Sequence, residues 1–283
     1  MGLFNNSEVV ILKESSDSKE YLNKLQTLKT ELGNNPVVAA KIDKEIAVVE
    51  AGIYGEDSIL FELKNSGMDL VVLHDIYIET EDGRGAQIDF FVTTPYVNVI
   101  IECKNLFGNI EINNKGDFIR TFEYKGKKYK EGIYSPITQN ERHLMVYKDC
   151  RKSDKNIASK LLFEKYFDRY NKSVVVLANP KTVVNDRFAK KEIKEQVIRC
   201  DQLTTYLKGL KSDIKSNKKE MLKIGENILS MNIDDRKDYI EKFNKLIEEA
   251  KSDALSVSSE PDELICPRCG NKLVLRTAQK GPN

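Results

Sequence analysis

The sequence predicts an α/β fold: a β-sheet flanked by helices. Three observations carry this. Charged segments with leucine or isoleucine at helical spacing stand on both sides of the middle of the chain, and two apolar runs around Pro95-Tyr96 read as a β-hairpin. Residues 173–178, Ser-Val-Val-Val-Leu-Ala, form a short continuous apolar run of the kind buried between helices as a central strand.

The totals fit an ordinary globular chain. Its 283 residues are 40% hydrophobic and 31% charged, enough for one sizeable domain or two smaller ones. No run reaches the roughly 18 apolar residues of a membrane span, and the N-terminus has no basic segment followed by an apolar signal core, so a cytoplasmic location and no membrane partner are expected. Five cysteines, scattered apart from the last pair, make no disulfide framework and suit a reducing compartment. A net charge of +1 neither favours nor excludes a polyanion, because nucleic-acid binding needs local basic patches.

Residues 1–16 carry little pattern. Leu22, Leu25, Leu28 and Leu32 then recur at helical spacing in a segment that stops at Gly33-Asn34-Asn35-Pro36. A second helical pattern runs through Ile42, Ile46 and Val49, meets Gly52 and Gly55, and resumes over 56–63, so a break is expected just ahead of Glu56. Residues 70–73 and 76–78 read as a strand with an irregularity near His74-Asp75, and 88–93 with 97–101 as the hairpin. Residues 118–124 and 129–134 flank Lys125-Gly126-Lys127-Lys128 as a second, solvent-facing hairpin. Ser135-Pro136 opens a helix to about Cys150, with a hydroxyl at the N-cap and proline at the first helical position. Residues 196–200 read as a short strand, Asp201 as the cap of a helix through Leu207 and Leu210, and two further helices carry Ile224, Ile228 and Met231, then Ile240, Phe243 and Leu246.

The chemistry gathers on the first hairpin. With the turn centred between Pro95 and Tyr96, cross-strand partners keep a constant sum, which sets Asp89 opposite Glu102. Alternation adds Lys104 to the face of Glu102 and turns Val99, Ile101 and Cys103 to the apolar side. Phosphodiester hydrolysis needs an activated water and stabilisation of charge on phosphorus. A hard cation supplies both and is often held by one or two carboxylates, here Asp89 and Glu102, with the backbone carbonyl of Cys103 able to complete the set. Lys104 can reach the same phosphate and offsets repulsion between the acids.

Gly55-Glu56, Gln87-Ile88-Asp89, Glu102-Cys103-Lys104-Asn105 and Ser135-Pro136 with Gln139 together resemble the nuclease-related domain, or NERD, family of the PD-(D/E)xK nuclease superfamily. The resemblance covers roughly residues 48–150, with the strand at 173–178 continuing the pattern. It implies a restriction-endonuclease-like core, a mixed central sheet flanked by helices, with extra N- and C-terminal helices. It further implies that Asp89 and Glu102 hold Mg2+ (or Mn2+), that Lys104 is catalytic, and that Glu56 and Gln139 are the polar residues of the first core helix and the later helix. Cys103 stands where the family often has threonine, on the apolar side. The expected organisation is an N-terminal helical segment at 1–35, a nuclease domain at 36–210, C-terminal helices at 211–251, a linker at 252–263 and a tail at 264–283.

The tail holds Cys266-Pro-Arg-Cys269-Gly270, which resembles the opening half of a topoisomerase-type zinc finger. Structural zinc takes four ligands, so Zn2+ is expected only if the finger is completed; truncation, a second copy supplying two ligands, and a remnant all remain open. Lys125, Lys127, Lys128 and Lys130 are candidate phosphate contacts, or an ordinary solvated hairpin. His74 and His143, the only histidines, are expected as surface or core residues rather than ligands or bases, which disfavours Ser-His-Asp chemistry. The leading expectation is a metal-dependent deoxyribonuclease acting in DNA processing or defence against foreign DNA. The alternative is a nucleic-acid-binding or oligomeric scaffold that kept the fold without turnover, with the helix at 22–32 as a contact between copies.

Overall fold

The computed structural model describes residues 7–31, 35–153, 156–234 and 239–257. The chain opens with β1 (Val9–Lys13), α1 (Asp17–Glu31), α2 (Pro36–Lys64), β2 (Leu70–Glu79), β3 (Gly85–Thr93) and β4 (Asn98–Lys104). Next come β5 (Asn109–Ile112), β6 (Phe118–Tyr124), β7 (Lys127–Ile133), α3 (Pro136–Lys152), α4 (Ile157–Tyr170), β8 (Asn171–Leu177) and β9 (Val184–Asn185). It finishes with α5 (Lys191–Lys194), β10 (Val197–Arg199), a 3-10 turn at Cys200–Gln202, α6 (Leu203–Gly209), α7 (Lys218–Leu229) and α8 (Glu241–Val257).

The central sheet has six strands in the order β1-β2-β3-β4-β8-β10. It is mixed: β2, β3 and β4 form an antiparallel meander, while β1 joins β2 in parallel and β8 lies parallel to both β4 and β10. Strands buried on both faces need apolar residues in both phases, which is why β8 reads as an unbroken valine run. On one face Ile59 and Leu63 of α2 and Leu203 and Leu207 of α6 pack on Val72, Phe90, Val99, Ile101, Val174 and Val176. On the other, Val146 and Tyr147 of α3, Phe167 of α4 and Ile228 of α7 cover Leu73, Ile88, Phe91 and Ile100. Each such fully buried side chain contributes about 1.5–3 kcal/mol. A second sheet, β7-β6-β5-β9, meets the first where Ile110, Ile112 and Phe118 pack on Ile137, Val175 and Leu177.

Several expectations change. α2 is one unbroken helix of 29 residues, with no break ahead of Glu56. Asn35 caps it by accepting from Val38 N–H and Pro36 sits in its first turn, while two helical glycines cost only about 1 kcal/mol each against that anchoring. β1 arises from a stretch with little pattern, and α4 was not expected at all. Asp201 lies inside the 3-10 turn rather than capping the helix, and its Oδ1 accepts from the Arg199 guanidinium at 3.3 Å. α8 continues to Val257, into the stretch expected as a linker. The leucine face of α1 is used within the chain: Leu25 is fully buried against Val38, Ile42, Ile240 and Phe243. The zinc-finger-like tail with Cys266 and Cys269 lies outside the described residues.

Candidate active site

The β3–β4 ladder fixes the site. Thr94 N–H donates to the Val97 carbonyl across the Pro95-Tyr96 turn, with proline where a turn favours it, and the ladder then runs from Thr93 opposite Asn98 to Phe90 opposite Ile101. It stops there. One step further Asp89 stands across from Glu102, and the Cys103 N–H donates to Asp89 Oδ2 at 2.7 Å rather than to a backbone carbonyl. A strand residue points its N–H and C=O the same way, so the Cys103 carbonyl also faces Asp89. Glu102 and Lys104 pair in register with Val175 and Leu177, whose side chains pack under the second sheet, while Cys103 faces α2.

Glu102 is 2% exposed. Its Oε1 accepts from Lys104 Nζ at 2.5 Å, and its buried Oε2 has no hydrogen-bond partner. His143 Nδ1, equally orphaned, lies 3.4 Å from that oxygen without hydrogen-bonding geometry. Asp89 keeps part of its residue surface, yet burial of the carboxyl pushes it well above the usual carboxylate range; the Glu102 and Glu56 charges add to the rise, and the Cys103 N–H and Lys104 oppose it. Burial likewise holds the Cys103 thiol well above its usual value, which removes it as a nucleophile.

Glu56 reaches the cluster because α2 packs unusually close. A Cβ on Gly55 would sit 2.9 Å from Asn105 Cβ and 3.0 Å from Cys103 Sγ, so only glycine lets the helix touch the end of β4. Asn105 Nδ2 ties the same junction by donating to the Ala51 carbonyl at 2.6 Å. Glu56 Oε2 lies 3.0 Å from His74 Nε2, and His74 stacks on Phe90 with its Nδ1 3.1 Å from the Glu14 carbonyl.

The expected irregularity in β2 is Asp75, at φ 54° inside an otherwise continuous strand. Its carboxylate accepts from Asp17 N–H and from Gln87 Nε2, so Gln87 braces the bend beside Asp89. Gln139 is partly buried and its side chain makes no hydrogen bond among the described residues. The neighbouring Asn140 docks α3 instead, donating to the carbonyls of Ile100 and Val174 at 3.3 and 3.0 Å. Lys125, Lys127, Lys128 and Lys130 are exposed on the β6–β7 hairpin, where Lys130 meets Glu111 at 3.7 Å.

Sequence reasoning therefore missed three polar neighbours of the site: His74, His143 and Asn140. Only Asn140 and His143 left a signal, the three-residue spacing that puts them on one face of α3. Among the described residues no group of three or more His, Cys, Asp or Glu side chains is placed to hold a metal ion. Two carboxylates and a carbonyl nevertheless suit a cation such as magnesium, which keeps waters and substrate oxygens in its remaining positions. The orphaned Glu102 Oε2 fits that donor set.

A mixed sheet between helices, with an acid pair and a lysine where its central meander opens, defines an α/β protein of nuclease-like architecture. Residues 51–178 match the family model of the nuclease-related domain, NERD, and the match supports that family for this stretch, which is under half of the chain. No curated protein and no solved structure matches the chain.

Proposed function

We propose that the chain is a divalent-metal-dependent nuclease that hydrolyses DNA phosphodiester bonds at Asp89, Glu102 and Lys104, in the manner of the PD-(D/E)xK enzymes. The observation that carries this reading is the buried Glu102, whose Oε2 has no hydrogen-bond partner and whose charge bears on the Asp89 carboxyl where the strands open. Asp89, Glu102 and the Cys103 carbonyl would hold Mg2+ or Mn2+, whose charge would neutralise the phosphate and acidify an attacking water. Lys104, 27% exposed, gives up its bond to Glu102 Oε1 and turns its ammonium to the phosphate, where it stabilises the charge that builds on the transferred group. Glu56, held by His74, keeps negative potential on the far side of Asp89. Gln139 orients substrate or water, and Lys125, Lys127, Lys128 and Lys130 steer the DNA backbone. Cys266 and Cys269 would bind Zn2+ only with two further ligands.

A second reading, a nucleic-acid-binding module without turnover, draws on the Lys104–Glu102 ion pair, which supplies the acid with a cation of its own. Incubation of plasmid, linear and single-stranded DNA with Mg2+ or Mn2+ separates the two. The nuclease reading expects cleavage by the wild type and a loss of at least about 100-fold in Lys104→Ala. Equal residual background in both proteins, together with salt-sensitive DNA binding, gives the second reading.

A further inference from the structure

We propose that the β6–β7 hairpin and the loop after β4 form a stacking platform for single-stranded DNA, so that unpaired nucleotides lie beside the cleavage site; this rests on the nuclease reading above. Phe118 and Ile133, at the inner end of the hairpin, are accounted for by the core. The outer pairs are not. Phe122 stacks on its cross-strand partner Tyr129 with centroids 5.2 Å apart, Phe107 meets Phe122 edge-on at 6.1 Å, and the Arg120 guanidinium lies 4.8 Å over Phe122. Alternation puts Arg120, Phe122, Tyr129 and Lys127 on one face of the two strands. Phe107 is nevertheless 61% exposed and Tyr129 41%.

Exposed aromatic rings on a solvated hairpin suit a partner with flat apolar faces, and the charge beside them says which. Arg120 is held by Glu131, but Lys127 on the ring face and Lys125 in the turn have no acidic partner among the described residues, and Lys128 adds charge on the opposite face. Bases stack on such rings while phosphates meet the lysines, whereas a duplex hides its base faces and offers the rings nothing. Position links the platform to the chemistry. Phe107 follows Lys104 by three residues, at most about 11 Å along the chain, or about two nucleotide steps from the lysine.

Fluorescence anisotropy with labelled oligothymidylate in EDTA tests this, because binding is then read without cleavage. The double variant Phe107→Leu/Tyr129→Leu keeps apolar bulk but loses the rings, and should weaken oligothymidylate binding about tenfold or more while leaving affinity for a blunt duplex within about twofold. Phe107→Tyr/Tyr129→Phe, which keeps the rings, should bind like the wild type. Oligothymidylate affinity unchanged in the leucine variant, or lost together with duplex affinity, overturns the platform, as does a wild type that binds no oligothymidylate. Cleavage of single-stranded and duplex DNA with Mg2+ is read separately: ring-dependent binding without cleavage of either removes the nuclease reading and leaves the platform standing.

Discussion

Asp89 is held in the fold at a cost in stability. Its carboxyl is crowded by burial and by Glu102, and one backbone N–H with a shared lysine does not compensate. An acid whose folded pKa lies above its unfolded value keeps its proton longer when folded. Stability from this source is complete below the unfolded carboxylate range, falls as pH rises through it, and levels off above the folded pKa. Asp89→Asn should abolish that fall and raise stability at neutral pH by on the order of 0.5–2 kcal/mol in metal-free buffer, as measured by urea unfolding across pH 4 to 8. Stability that declines with pH identically in both proteins would show that the carboxyl is not strained. Little of this was legible in the chain. The facing of Asp89 and Glu102 follows from a local turn and a two-residue period, but the histidines that meet Glu56 and Glu102 come from β2 and α3, and their approach depends on tertiary packing.

At the scale of the element, α2 decides where Glu56 stands. Gly52 and Gly55 look alike in sequence and differ in space, since a Cβ on Gly52 meets nothing within 4 Å and one on Gly55 collides with the end of β4. Gly52→Ala should therefore stabilise by about 0.5–1 kcal/mol through helix propensity alone. Gly55→Ala has the same propensity gain, but forcing α2 off the strand costs about 1–3 kcal/mol and outweighs it, for a net loss of up to about 2 kcal/mol. Urea midpoints of the two variants should move in opposite directions; parallel movement would contradict the close contact. Sequence pattern marks both glycines as breaks because propensity is a local quantity, whereas the anchors of this helix are its Asn35 cap and the burial of Ile42, Ile59 and Leu63. α4 was missed for the converse reason: Ile157, Leu161 and Leu162 are exposed, so its apolar residues make no clean stripe.

Across the whole molecule, the packing of the central sheet is distinct from that among α1, α2 and α8. The sheet and its helices carry Asp89, Glu102 and Lys104, and a separate helical cluster of α1, α8 and the first half of α2 has its own core around Leu25, Ile42 and Phe243. Leu25→Ala should cost about 2–5 kcal/mol, read as a lowered thermal midpoint by circular dichroism, because the residue is fully enclosed; an unchanged midpoint would mean that the cluster adds nothing to the fold. β1 was illegible at this scale too, since its five half-buried residues acquire meaning only beside β2. The proposed cation sits in the gap where β3 and β4 part. Anomalous diffraction from crystals soaked in Mn2+ tests it most directly. One cation should lie between Asp89 and Glu102, contacting Glu102 Oε2 and the Cys103 carbonyl, with Lys104 turned away from Glu102. Crystals that take up Mn2+ elsewhere, with Lys104 still bound to Glu102, would contradict it.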